Sequence, residues 1–163
     1  MTLELEIDGD PVMRSYTISS SPSVPYSFSV TIKRVPGGRV SNWLHDTLSE
    51  GQELAVHGPV GLFNAIDAPS PKVLYLSGGV GITPVMSMAR WFYDTNANVD
   101  MTFIHSARSP KDIIYHRELE MVYERITGEP SISSSRVTNC PGLKKNRIGW
   151  SAIKQKVRTS QVS

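Results

Sequence analysis

Arg14, Tyr16, Thr17 and Ser20 fall within one short run, RSYTISSSP at residues 14–22. A guanidinium can neutralise phosphate, a flat ring can stack on another, and a hydroxyl can hydrogen-bond a ring nitrogen. Together on one extended segment they suit a ligand that is both anionic and aromatic, such as a nucleotide carrying a fused ring system. A second run, SGGVGITP at residues 77–84, offers different chemistry. It follows an apolar stretch and opens a helical one, so its backbone N–H groups point outward unpaired and the helix dipole adds positive potential. Gly78, Gly79 and Gly81 let a pyrophosphate approach that backbone closely. The ordinary alternative is a turn whose glycines serve tight helix–strand packing. The spacing is not G-x-G-x-x-G and no P-loop lysine follows, which argues against ATP hydrolysis. A third run, GGRVSNWLHD at 37–46, places Ser41 as the cap of a short helix that can take the same diphosphate as Arg14. Singly, Arg14 reads as a surface charge, Tyr16 as a strand aromatic and Ser41 as a plain cap. Three such runs in this order are much less ordinary.

The elements that must position these residues change character along the chain. Residues 3–7 alternate as a strand, and 26–35 alternate with Phe28, Val30 and Ile32 on one face. Residues 35–38 form a turn, and SNWLHDTL a helix with Trp43, Leu44, Thr47 and Leu48 at helical spacing. Residues 50–63 read as a turn, a strand and a Gly-Pro turn. This grammar predicts a small antiparallel barrel over 1–67. After a linker at 68–72, VLYLSGG reads as a strand of a parallel sheet. TPVMSMARWFYDT reads as a helix capped by Thr83, with Pro84 at its first position. VDMTFIHSA is a second strand. The run from Ser109 to Ile126 is a second helix, with Ser109 and Asp112 placed as in a capping box. Strand–helix–strand–helix predicts a parallel α/β unit over 72–128. Residues 129–163 carry seven serines and no sustained apolar period, and read as an irregular tail.

The totals fit a globular protein: 163 residues, 39% hydrophobic and 20% charged. No apolar run approaches the ~20 residues that cross a bilayer, and the acidic, alternating start is unlike a signal peptide. A cytoplasmic location and no membrane partner follow as expectations. Cys140 is the single cysteine, so no internal disulfide and no four-cysteine cluster can form within one chain. The four histidines, 45, 57, 105 and 116, lack metal spacing. Charge is divided unevenly. Residues 1–128 carry 10 Lys and Arg against 14 Asp and Glu; residues 129–163 carry 7 against Glu129 alone. That basic stretch has no aromatic interleaving beyond Trp150, so no nucleic-acid partner is expected.

The combined motifs resemble the ferredoxin–NADP reductase superfamily. Arg14, Tyr16, Thr17 and Ser20 match its Arg-x-Tyr-Ser/Thr-x-x-Ser flavin motif. The resemblance implies that the arginine binds the FAD diphosphate, the tyrosine stacks on the flavin, and Thr17 lies near flavin N5, where hydride arrives. Thr31, Ile32 and Lys33 fall on the next flavin segment, and Arg39, Val40 and Ser41 on its phosphate-binding turn. Residues 78–84 (Gly78, Gly79, Val80, Gly81, Ile82, Thr83, Pro84) match the nicotinamide-nucleotide loop. Ser106 and Arg108 end the second strand where the nucleotide ribose is read. No acid stands there, which permits a 2′-phosphate, whereas the resemblance leans to NADH over NADPH.

Within the superfamily, KRVPGGRVSNWLHDTL and HSARSPKDIIYHRELE look like reductases that serve Rieske-type oxygenases, with hybrid-cluster-protein reductases next. The implied fold is a partial antiparallel flavin-binding barrel followed by a partial parallel α/β nucleotide-binding domain. The implied activity is hydride transfer from NAD(P)H to FAD, then single electrons to an iron–sulfur protein or oxygenase component. A 2Fe-2S cluster is expected only in a C-terminal domain that relatives carry. Strands upstream of Met1 and the sheet beyond Gly128 are missing from the pattern. This leaves a second expectation, a non-catalytic truncated remnant that binds nucleotide weakly or not at all. It also makes a truncation or reading-frame disruption near residue 128 the expected source of the tail.

Overall fold

The structure is a computed structural model that describes residues 1–127 and 151–158. Two three-stranded sheets organise it, and they share no strand.

The first sheet is antiparallel, in the order β2-β1-β3, with β1 at Thr2–Ile7, β2 at Asp10–Ser15 and β3 at Ala55–His57. Strand β1 alternates as its sequence predicts. Leu3, Leu5 and Ile7 are buried and pack with Met1 and with Val40 and Leu44 of helix α1, Arg39–Thr47. Strand β2 was not anticipated. It follows a two-residue hairpin turn in which Asp8 (φ 56°) and Gly9 (φ 82°) both lie in the left-handed region, the geometry that matches strand twist. Pro11 is tolerated because β2 is an edge strand.

The strand expected over 26–35 does not form. Its only ladder contact is an isolated bridge between Ile18 and Val30. Serine side chains replace the missing ladder: the Ser29 amide donates to Ser20 Oγ at 3.0 Å, while the Ser19 hydroxyl donates to Ser29 O at 3.1 Å. Val30 and Ile32 still pack against the first core, but Phe28 is 54% exposed.

The second sheet has the order β4-β5-β6. Strands β4 (Lys72–Gly78) and β5 (Asp100–Ala107) pair in parallel over their length. A 3-10 turn, Gly79–Gly81, leads into α2, Ile82–Asp94. Helix α3 spans His116–Thr127, and a separate 3-10 turn covers Pro110–Asp112. The predicted single helix from Ser109 is interrupted because Tyr115 takes φ 61°. The Ser109 hydroxyl donates to Asp112 Oδ2 at 2.8 Å and closes the first turn on itself.

Helices α2 and α3 cover one face of this sheet. Val85, Met86, Ala89, Phe92 and Leu119 pack on Tyr75, Met101 and Phe103. On the opposite face Leu74 and Leu76 are 57% and 66% exposed, with Ile104 opposite Leu76 in the register. Strand β6, Ser151–Arg158, pairs antiparallel along β5 from Asp100 to Ala107. The expected irregular tail is therefore corrected over these eight residues. Whatever interrupts the sequence pattern after Gly128 does not take them out of the sheet. The rest of that tail lies outside the described residues.

Candidate functional site

The flavin-type run continues β2 beyond its end. Arg14 pairs with Leu3 in the register, is exposed, and donates to the Met13 carbonyl at 2.8 Å. Tyr16 is tied to the chain start in both directions. Its amide donates to Met1 O at 2.9 Å, and the Met1 amino group donates to Tyr16 O at 3.2 Å. Its half-buried ring packs against the first core, and that burial pushes the phenol pKa up, partly offset by the Arg14 charge. The hydroxyl therefore stays protonated at neutral pH. Thr17 beside it is exposed. Ser20 spends its hydroxyl internally, accepting the Ser29 amide. Thr31 is likewise engaged, with Ser19 Oγ at 3.2 Å and with the Tyr115 hydroxyl. The Ile32 carbonyl bonds His45 Nε2 at 2.9 Å, and Lys33 is exposed.

Helix α1 begins two residues before the predicted cap. Gly38, not Ser41, is its N-cap. The Ser41 hydroxyl instead accepts the Val35 amide at 3.1 Å and fastens the preceding turn. Arg39 is held by the β1–β2 hairpin: it donates to Ile7 O at 2.7 Å and to Asp10 at 2.8 Å. Val40 is buried in the first core. What this turn leaves for an anion is backbone N–H groups, with no acidic residue in the first helical turn.

The glycine-rich turn is built differently from its expected caps. Gly81 is the N-cap of α2, while Thr83 lies inside the helix and donates its hydroxyl to Val80 O at 3.1 Å. Pro84 is accordingly the third helical residue and not the first. Ile82 and Thr83 are buried, whereas Val80 is 39% exposed. Gly79 needs glycine for its backbone, at φ 51°. Gly81 does not: it sits at φ −64° and ψ −2°, an ordinary helical conformation, and a Cβ there would meet nothing within 4 Å. Beyond the modest preference for glycine at an N-cap, neither a positive φ nor a close internal contact demands a glycine at that point. Ser106 is brought beside the turn, pairing with Gly78 in the register, and Arg108 is exposed beyond it.

Two clusters had no sequence motif to reveal them. Beneath the turn, Ser77 Oγ and His105 Nδ1 are 2.9 Å apart. His105 is 1% exposed, and burial pushes its pKa down, so the ring stays neutral. The second cluster joins residues 19–31 to α2 and to the residue just before α3, through Ser87, Arg90 and Tyr115. A cavity of about 430 Å³ lies there, lined by Ser20, Ser29, Met86, Arg90, Phe103 and Glu118 among others. None of residues 78–84 lines it. Among the described residues no group of three or more His, Cys, Asp or Glu is arranged to hold a metal, and no helix is long and apolar enough to cross a membrane.

Known proteins resemble this chain in sequence and in fold. The chain is 86% identical over 126 residues to the glycine betaine monooxygenase reductase subunit of Pseudomonas aeruginosa, covering 77% of this chain and 34% of that protein. It is 40% identical over 128 residues to the stachydrine N-demethylase reductase subunit Stc4 of Rhizobium meliloti, covering 78% and 36%. The chain thus spans about a third of the length of the curated relatives it matches. Among solved structures, the flavohem-like FAD/NAD binding domain of nitric oxide dioxygenase from Vibrio cholerae superposes with a TM-score of 0.66 at 23% identity. That match covers 76% of this chain and 54% of that one, and the likeness is one of fold. Residues 1–65 match the oxidoreductase FAD-binding domain, and residues 75–162 match the oxidoreductase NAD-binding domain. With more than half of its length in that second match, the chain belongs to the oxidoreductase NAD-binding domain family, preceded along the same chain by FAD-binding domain sequence.

Proposed function

We propose that this chain carries the flavin and nicotinamide sites of an NAD(P)H-dependent reductase that supplies electrons to an oxygenase. Residues 1–67 form the flavin part and 72–128 the nucleotide part. Arg14 neutralises the FAD diphosphate together with the backbone N–H groups at the start of α1. Tyr16 stacks on the flavin, and Thr17 offers its hydroxyl near N5. The turn at 78–84 holds the pyrophosphate of the nicotinamide dinucleotide, with Ser106 and Arg108 at its ribose. When bound, FAD accepts a hydride from nicotinamide C4 and releases its two electrons singly. The protein aligns the two rings and excludes solvent, and no side-chain acid or base is required.

The observation that carries this reading is Gly81, an N-cap whose open surroundings hold no atom within 4 Å of a side chain and suit the close approach of a phosphate. The acceptor is an iron–sulfur centre, a 2Fe-2S cluster in the remainder of such a protein, serving a Rieske-type oxygenase in the cytoplasm. The names of the relatives support the oxygenase as partner, since the Pseudomonas aeruginosa protein is a monooxygenase reductase subunit.

A second reading, a remnant that binds nucleotide weakly, is favoured by one feature. Arg39 is already paired with Asp10, and Ser20 and Ser41 with the backbone. The absorption spectrum of the purified chain after incubation with FAD separates the two. A bound flavin band near ~450 nm supports the reductase. A colourless chain after removal of free FAD refutes it.

A further inference from the structure

The flavin part and the nucleotide part have separate apolar cores, one around Leu3, Leu5 and Leu44, the other around Met86, Met101 and Phe103. Halves joined without a large apolar interface move relative to one another by default. The polar groups between them are therefore informative, and they converge on Arg90. This arginine lies in the interior of α2 with its side chain 23% exposed. Its Nε and Nη2 grip both oxygens of Glu118 on α3, at 2.7 and 2.6 Å. That bidentate pair fixes the guanidinium plane. The remaining nitrogen, Nη1, donates to the carbonyl of Ser19, 71 residues away in the chain and inside the flavin-type run.

Tyr115 completes the arrangement. Its ring lies under the guanidinium, 4.8 Å from Arg90 Cζ to the ring centroid, and its hydroxyl bonds Thr31 Oγ1. Thr31 in turn reaches Ser19 Oγ at 3.2 Å, so both ends of the 19–31 segment meet at one point. Tyr115 adopts φ 61°, a conformation costly for an aromatic residue that persists only where the surroundings hold it. Two flanking bonds follow the same division: Ser87 Oγ to Ser20 O at 2.7 Å, and Ser23 Oγ to Asp94 Oδ2 at 2.5 Å. Four of these bonds, Arg90 to Ser19, Tyr115 to Thr31, Ser87 to Ser20 and Ser23 to Asp94, have one partner in 19–31 and the other on α2 or just before α3.

We infer that Arg90, braced by Glu118 and Tyr115, is a positioning residue that locks the 19–31 segment to the nucleotide half and thereby sets the flavin ring against the nicotinamide. It acts through Ser19, two residues from Thr17. The positioning role rests on the reductase reading above; the lock itself does not.

The test uses the purified chain with Arg90→Ala, Arg90→Lys and Tyr115→Phe. Without cofactor, amide hydrogen exchange reads the lock directly. Arg90→Ala is expected to speed exchange of the Ser19 and Ser29 amides by about tenfold or more while the β1–β2 ladder keeps its protection. Tyr115→Phe, which removes only the hydroxyl bond, gives a smaller increase confined to the same segment, and Arg90→Lys restores part of the protection. Unchanged exchange in 19–31, or an equal rise across the whole chain, overturns the lock. In the FAD-loaded chain, Arg90→Ala leaves the FAD dissociation constant within about threefold but slows flavin reduction by NADH about tenfold or more, with Arg90→Lys between. An unchanged reduction rate overturns the positioning role. A chain that never binds FAD refutes the reductase reading instead, and the exchange measurement alone then decides the lock.

Discussion

Replacing Gly81 by alanine separates binding from folding in a way that Gly79, with its positive φ, does not allow. In the free protein the new methyl meets no atom within 4 Å, and φ −64° suits any L-residue. Two small terms then oppose one another. Alanine restricts the unfolded chain and stabilises by about 0.4–1 kcal/mol. At an N-cap, alanine is poorer than glycine by a similar amount, about 0.5–1 kcal/mol. Stability should therefore move by less than about 0.5 kcal/mol, within the range of an ordinary surface change. Nucleotide binding has no such compensation. A methyl between the turn and a pyrophosphate breaks at least one charge-assisted hydrogen bond, about 1.5–3 kcal/mol, or roughly ten- to a hundredfold in affinity. Denaturant unfolding and calorimetric titration with NADH, on the same preparation, check both halves. Gly79→Ala is the contrast: at φ 51° it should cost about 1–2 kcal/mol of stability as well. If Gly81→Ala binds NADH within about threefold of the parent, the turn does not hold the pyrophosphate and the reasoning fails.

Three further outcomes are expected. Arg14→Ala should weaken FAD binding by about 1.5–3 kcal/mol, measured by titration at the flavin band, and unchanged affinity removes Arg14 from the site. His105 is held neutral below its ordinary pKa of 6.5, so the unfolded chain takes up a proton first as pH falls. Stability should thus be full well above pH 6.5 and decline below it, by up to about 1.4 kcal/mol per pH unit, until the folded ring protonates. Denaturant midpoints from pH 8 to pH 5, roughly, read this slope, and His105→Gln should flatten it; an equal slope in both proteins counts against the assignment. With no acid at the end of β5, both dinucleotides should serve, NADH better than NADPH, and a steady-state preference for NADPH above about tenfold reverses that order.

The α2 region was legible because strand, turn and helix each carry their own period, and Met86, Ala89 and Phe92 face the sheet as helical spacing requires. Strand β2 was announced by Asp8-Gly9, yet Asp10 and Pro11 are poor strand formers and obscured it; only the edge position makes them acceptable. Residues 26–35 failed in the opposite direction. Phe28, Val30 and Ile32 alternate like a strand, but serine hydroxyls satisfy the backbone in place of a neighbour. Ser41 and Thr83 look like caps by type, while glycines three and two residues earlier take the cap position. Strand β6 offers only Ile153 and Val157 among Lys154, Lys156 and Arg158, too thin a pattern to read. The candidate flavin and nucleotide runs were visible as motifs. Arg90 was not, since its meaning depends on a carbonyl 71 residues distant that only the folded chain brings near.

Leu74 and Leu76, on the face of the second sheet away from α2 and α3, have a consequence in time as well as in energy. They stand on β4, an edge strand of the described sheet whose backbone can pair with another chain. Folding is first order in protein, whereas the meeting of two such faces is second order. Dilution therefore slows the meeting and leaves folding untouched. The yield of monomer is then governed by how fast the chain is produced relative to how fast it folds: slow synthesis at low temperature favours the single chain, and rapid accumulation favours the clump.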